Sequence, residues 1–302
     1  MSSTEPVRSI ASERNLPLED QSGLPAGLHK YCDEARCDII EGTRIRFTPA
    51  DQFNDPFECL PDARLIEHVA WQQQIEDSSV QTLIAEEKLW AVANNSPVRF
   101  SEADIRRIHR TRYSMRMPEM KELATQVVSA ARAPFRILCL SQVPPAASGA
   151  LLLWGHYTAN HRGIVISFNP ENEWFAEHRP TIGKPCDSGH VDYSETRAGW
   201  LENDGRFEPR RSFIFTKSPH WQYEKEFRLV RFVNTPGVEV GSVDALISFP
   251  PSAITAVTLG AKISAETKQR VLAAVDRPGF RHIRVIQAQI HPDHYSLSMS
   301  EA

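Results

Sequence analysis

Glu224 and Glu226 stand two residues apart in "HWQYEKEFRLVRF" (220–232), with Arg228 two further on. In an extended chain alternate residues share a face. Glu224, Glu226 and Arg228 then point one way, and Tyr223, Lys225, Phe227 and Leu229 the other. Two close carboxylates raise each other's pKa, and a neighbouring guanidinium offsets this. On a surface strand such pairs contribute only ~0–1 kcal/mol. On the floor of a cleft they have chemistry to do. A carboxylate there hydrogen-bonds a ribose hydroxyl and stabilises positive charge at an anomeric carbon as its bond breaks, as in glycoside hydrolysis.

Three other segments carry polar and aromatic side chains beyond what a core requires. In "WGHYTANHRG" (154–163), His156 is a candidate base and Tyr157 a stacking surface. Arg162, beside Gly163, has the planar fork that grips phosphate. Helical spacing puts Tyr157 one turn from Trp154 and from His161, with Trp154 readable as core and His161 as a helix-end group. In "FNDPFE" (53–58), Asn-Asp before Pro builds a tight turn, with Phe53 and Phe57 as its anchors. The functional alternative has Asn54 and Asp55 holding a ribose or a phosphate-bound ion. In "FTKSPHWQ" (215–222), Lys217 and His220 fall in a loop just ahead of the carboxylates.

The elements that must position these groups are legible from periodicity. "LHKY", "RIRFT", "FRILCLS", "IVISF", "HVDYS", "SFIFTKS", "EFRLVRF", "ALISF", "AVTLGAKI" and "IRVIQAQI" read as strands. "CDEARCDII" reads as a short helix stopped at Gly42. "GALLLWGHYTANHRG" reads as a helix ended at Gly163, and "SAETKQRVLAAV" as a helix capped by Ser264. Residues 62–133 show helical spacing, with Ser101 and Asp104 as a capping pair. The expectation is an α+β fold: residues 1–26 a flexible tail, and 27–302 one domain whose strand-rich core carries a helical insertion at about 62–133.

Bulk properties narrow the classes. With 302 residues and a net charge of −4, the chain has no global basic field for nucleic acid. No apolar run approaches the ~18–20 residues needed to cross a bilayer. The polar start lacks a secretory core, so a cytoplasmic protein is expected. Five scattered cysteines fit reduced thiols, and no cluster has the spacing of a metal site, so no metal is assigned. There is no Walker, G-x-G-x-x-G or G-x-S-x-G pattern.

"LHKY" (28–31), "FTPADQFNDPFE" (47–58), "LLLWGHYTANHRGIVISF" (151–168) and "WQYEKEFRLV" (221–230) together resemble the bacterial family called domain of unknown function 2971. A second resemblance is to ADP-ribosyltransferases. These place a basic residue or His on an early strand, a hydroxyl on a middle strand and a catalytic Glu on a late one. The positions that match are His29, Lys30 or Tyr31, then Phe47-Thr48, then Glu226, with Glu224 completing a Glu-x-Glu spacing. The middle strand reads Thr-Pro instead of Ser-Thr-Ser.

That second resemblance implies a split β-sheet core and NAD as substrate, for ADP-ribose transfer or NAD hydrolysis. Glu226 would be the catalytic carboxylate and Glu224 its partner. His29, Lys30, Tyr31, Thr48, Asn54, Asp55, His156, Tyr157 and Arg162 would seat the dinucleotide. A macromolecular acceptor, protein or nucleic acid, would follow, and the setting would be a bacterial toxin or phage-defence effector. Two alternatives stand beside it. One is a metal-dependent nuclease using Asp55, Glu58, Glu224 and Glu226. The other is a nucleotide sensor without chemistry.

Overall fold

The computed structural model describes residues 27–60, 70–108, 126, 128–129, 132–177, 186–198, 211–232 and 245–302. The expected tail, 1–26, and the rest of the stretch 62–133 lie outside the described residues. In chain order the described strands are β1 (Leu28–Cys32), β2 (Arg44–Pro49), β3 (Phe135–Ser141), β4 (Ile164–Phe168), β5 (Cys186–His190), β6 (Asp192–Tyr193), β7 (Thr216–Lys217), β8 (Glu226–Phe232), β9 (Ala245–Ser248), β10 (Ile254–Leu259), β11 (Arg284–Ile290) and β12 (Leu297–Glu301). The α-helices are α1 (Asp38–Gly42), α2 (Ala70–Ala93), α3 (Ala150–Tyr157), α4 (Glu173–Ala176), α5 (Arg211–Phe215) and α6 (Ala265–Val275).

The fold is α+β, built on one ten-stranded mixed sheet. Strand β3 is its branch point. Along its whole length β3 pairs with β8, Phe135 opposite Phe232 through Ser141 opposite Glu226. On its other edge two strands share it: β1 at the Ser141 end and β2 at the Ile137 and Arg136 end. Between them the sheet is split, and the Cys139 carbonyl faces the gap. It is satisfied by the Lys30 ammonium, 3.0 Å away, in place of a strand amide.

The register sorts the side chains. Leu28, Phe47, Leu138, Leu140, Phe227 and Leu229 face one side and join the main core, which α6 covers with Val271 and Ala274. On the other side lie two smaller apolar clusters. One is built on Tyr31, Leu153 and Trp154, the other on Phe135, Ile137, Phe213 and Val230. His29, Thr48, Cys139, Ser141, Glu226 and Arg228 share this second side.

Local signals account for many of the elements. Ser264 Oγ accepts from Thr267 N at 3.1 Å and caps α6. Ser101 Oγ accepts from Asp104 N at 3.1 Å, opening the helical stretch 102–108. Three expectations are corrected and one helix end holds. "SFIFTKS" is not a strand: Arg211–Phe215 is helical and only Thr216–Lys217 pairs. Phe213, Ile214 and Phe215 are all buried, which strand alternation on a half-exposed surface would not allow. α3 ends at Tyr157, not at Gly163, because Ala159, Asn160 and His161 all adopt left-handed backbone. α1 does end at Gly42, and left-handed Thr43 (φ 47°) follows it as the cap. β12 has no counterpart among the expected strands; "LSMSE" lacks a continuous apolar face because it is a largely exposed edge.

Among the described residues, no helix is long and apolar enough to cross a membrane.

Candidate functional site

Glu224 and Glu226 do not share a strand. Residues Pro219–Glu224 form a 3-10 helix, Lys225 turns the chain in a left-handed conformation, and β8 begins at Glu226. Nor is the strand an edge. β8 lies between β3 and β5, and Glu226 and Arg228 are 4% and 0% exposed. The surface-pair reading is therefore wrong. The pattern of alternation mimicked a strand because a turn at Lys225 returns both carboxylates to the same side.

They converge on Lys217, which the short strand β7 brings underneath. The Lys217 ammonium lies 2.7 Å from Glu224 Oε2 and 3.0 Å from Glu226 Oε2. Arg228 Nε reaches Glu226 Oε1 at 2.8 Å, while its outer nitrogens bond Glu58 and the Ile214 carbonyl. Glu58 Oε1 is 3.6 Å from Lys217. Three carboxylates and two cations thus form one buried network between the two apolar clusters. Backbone contacts fix its geometry: Ser141 Oγ donates to the Glu224 carbonyl at 2.5 Å, and the Glu226 amide donates to the Tyr193 hydroxyl at 2.9 Å.

The network sets protonation. Burial alone would push the Glu226 carboxyl up, but Arg228 and Lys217 outweigh it and hold Glu226 ionised, well below the usual carboxylate range. Burial opposes charge on Lys217 too, yet Glu226, Glu58 and Glu224 hold its pKa above the ordinary lysine value. Glu58 goes the other way: burial raises its pKa, Glu226 and Glu224 add to this, and Arg228 and Lys217 compensate only in part.

The network forms one wall of a cavity of about 280 Å³ that opens at the split in the sheet. His29, Lys30 and Tyr31 line it from β1, Thr48 from β2, and Asn54 and Glu58 from the loop after β2. Cys139 and Ser141 contribute from β3, and Tyr157 from the end of α3. Tyr157 donates its hydroxyl hydrogen bond to Glu224. The Tyr31 hydroxyl is committed to the Val143 carbonyl at 2.8 Å, so Tyr31 offers the cavity mainly its ring. His29 Nδ1 meets Ser167 Oγ at 3.0 Å, and burial pushes its imidazole down to about 4, keeping it neutral.

Eight of the eleven residues singled out in the sequence therefore border one cavity; Asp55, His156 and Arg162 do not. Asp55 serves its own loop: Oδ1 accepts from Phe57 N at 2.9 Å, and Oδ2 accepts from Trp221 Nε1 at 2.8 Å. His156 is exposed and bonds the Tyr223 hydroxyl at 2.9 Å. Arg162 is exposed on the turn after α3. That turn is structural. A Cβ on Gly163 would lie 2.0 Å from the Cys32 carbonyl oxygen, so only glycine lets the turn pass β1. Phe57, expected as a core anchor, is 62% exposed, whereas Phe53 packs against the core and under Arg228.

Lys217 and Glu58 were underrated in the sequence. The network could not be read there because its members come from segments about 160 residues apart. The Glu58 carboxylate, the Cys139 thiol and the Glu226 carboxylate approach within 4.8 Å of one another, a spacing that suits a cation. Arg228 already bonds Glu58 and Glu226 there.

The family model described as "Protein of unknown function (DUF2971)" matches residues 153–229. This stretch includes Tyr157, Lys217, Glu224, Glu226 and Arg228, and agrees with the resemblance seen in the motifs. No curated protein and no solved structure matches the chain.

Proposed function

We propose that the cavity binds the nicotinamide riboside end of NAD and that the protein cleaves the nicotinamide–ribose bond, passing ADP-ribose to an acceptor or to water. One observation carries this reading. His29 and Lys30 on β1, Thr48 on β2 and Glu226 on β8 come from an early, a middle and a late strand, and they border one cavity at a split in a single sheet. That is the arrangement implied by the resemblance to ADP-ribosyltransferases.

The electrostatics suit the step. When the C–N bond breaks, its electron pair passes to the pyridinium nitrogen and nicotinamide leaves neutral, so no general acid is required. Positive charge is left on the ribose, and a carboxylate that stays ionised is the group to meet it. Glu226 is held in that state, and Lys217 fixes Glu224 beside it. A nucleophile then adds to the anomeric carbon and loses its proton. Lys30 and Thr48, across the cavity, suit the 5′-phosphate and ribose. The volume, about 280 Å³, lies just below the range of small-molecule sites, ~300–1,000 Å³, which matches one nucleotide half better than a whole dinucleotide.

The test is incubation with NAD labelled in the nicotinamide ring, with and without Mg²⁺. Metal-independent release of nicotinamide supports the reading. NAD left intact while nucleic acid is cut only with Mg²⁺ would replace it with the nuclease alternative. NAD that raises thermal stability without turnover would leave a sensor.

A further inference from the structure

A second cavity, of about 370 Å³, lies on the same side of the sheet and shares His29 with the first. They also adjoin at the end of β3: Ser141, its last residue, lines the first, and Gln142, just beyond it, lines the second. The second cavity differs in character. Gln142, Ser167, Asn169 and Thr255 supply amide and hydroxyl groups, Pro144 and Pro170 supply apolar surface, and among the described residues no Asp, Glu, Lys or Arg lines it.

Its floor is shaped by an irregularity. β10 pairs with β4 with a shift of register between Ile254 and Ala256, which leaves Thr255 out of the ladder. Thr255 is exposed at this bulge, and its Oγ1 donates to the Ser167 carbonyl at 3.1 Å. Ser167 Oγ in turn holds His29 Nδ1. The wall between the cavities is thus a neutral imidazole, fixed from the side of the second cavity.

From this juxtaposition we propose that the second cavity takes the other nucleoside of a dinucleotide, the base and ribose of the adenosine half, with the pyrophosphate crossing at His29 and Lys30. The inference rests on the reading of the first cavity as the nicotinamide riboside site. An uncharged, hydrogen-bonding pocket with flat apolar walls suits a neutral base and its ribose. It does not suit a second phosphate, which would need a cation there.

The experiment is calorimetric titration of NAD, nicotinamide mononucleotide and AMP into the wild-type protein, Thr255→Trp and Thr255→Val. The indole would fill the second cavity; valine removes only the hydroxyl and controls for its hydrogen bond. Expected for Thr255→Trp is a Kd for NAD and AMP raised at least about tenfold, with nicotinamide mononucleotide unchanged within about twofold. Thr255→Val should bind nicotinamide mononucleotide as the wild type does and lose less affinity for NAD and AMP than Thr255→Trp. In the unmodified protein, AMP should slow amide hydrogen exchange in residues 165–170 and 253–257.

Wild-type affinity for AMP in Thr255→Trp, an equal loss of nicotinamide mononucleotide, or no protection of those segments would overturn the proposal. So would a wild-type protein that does not bind AMP. A protein that binds AMP as described but not nicotinamide mononucleotide would instead overturn the NAD reading, and the second cavity would stand as a nucleoside site.

Discussion

The Lys217 ammonium stands 2.7 Å from Glu224 and 3.0 Å from Glu226, and so ties the end of a 3-10 helix to the start of strand β8. Two carboxylates that would repel each other are held together by one buried cation. Lys217→Met should therefore be costly, leaving both charges under-compensated in the interior. A loss of about 3–5 kcal/mol is expected, measured by urea unfolding. Adding Glu224→Gln to Lys217→Met should restore part of it; a double mutant less stable than the single one would contradict the network.

Glu226→Gln separates chemistry from structure less cleanly than a surface site would. Gln keeps the shape but takes one carboxylate from Arg228 and Lys217, leaving Arg228 to Glu58, at a cost of about 3 kcal/mol. Nicotinamide release should fall by about 10²–10³-fold in the protein that remains folded. Glu224→Gln should affect transfer to an acceptor more than hydrolysis, since Glu224 lies toward Tyr157 at the cavity wall. Folded Glu226→Gln with wild-type nicotinamide release would reduce the network to a structural role.

Acid sensitivity follows from His29. Its imidazole titrates near 6.5 when unfolded and at about 4 when folded, because burial disfavours the charged form. The unfolded chain then binds more protons between these values. The stability is present in full above pH ~6.5 and is lost as pH falls toward 4, by roughly 3 kcal/mol. Glu226, whose folded pKa is depressed, adds its own loss only below the ordinary carboxylate range, about pH 4.5. The slope between pH 6.5 and 4.5 should thus flatten in His29→Gln, as followed by thermal midpoints. An unchanged slope would assign it to other groups.

Gly163→Ala should be among the most damaging single substitutions away from the network. The added carbon would meet the Cys32 carbonyl oxygen at 2.0 Å and the Asp33 Cα at 2.9 Å, both backbone, which cannot swing aside. A loss above about 4 kcal/mol is expected, with denaturant midpoints as the readout. Arg162→Ala, on the exposed neighbour, should be nearly neutral, within ~0.5 kcal/mol.

The strands of the core were legible because local patterning and burial agree in them: "FRILCLS" and "IVISF" are apolar on both faces and lie inside the sheet. Ser264 and the Ser101–Asp104 pair were legible because capping is a local interaction. The sequence singled out Glu226, which does border the cavity, but not its burial on an inner strand between two neighbours. Where tertiary packing competes with local preference, the sequence misleads. "SFIFTKS" has strand-forming residues but buries three consecutive apolar side chains by turning helical. Asp55 and His156 sit in polar-aromatic motifs yet serve a turn and an exposed aromatic contact. The composition of the charge network, the split that leaves Lys30 holding the Cys139 carbonyl, and the meeting of two cavities at His29 were decided only by the fold. Each depends on pairing among segments far apart in the chain, which short-range periodicity does not encode.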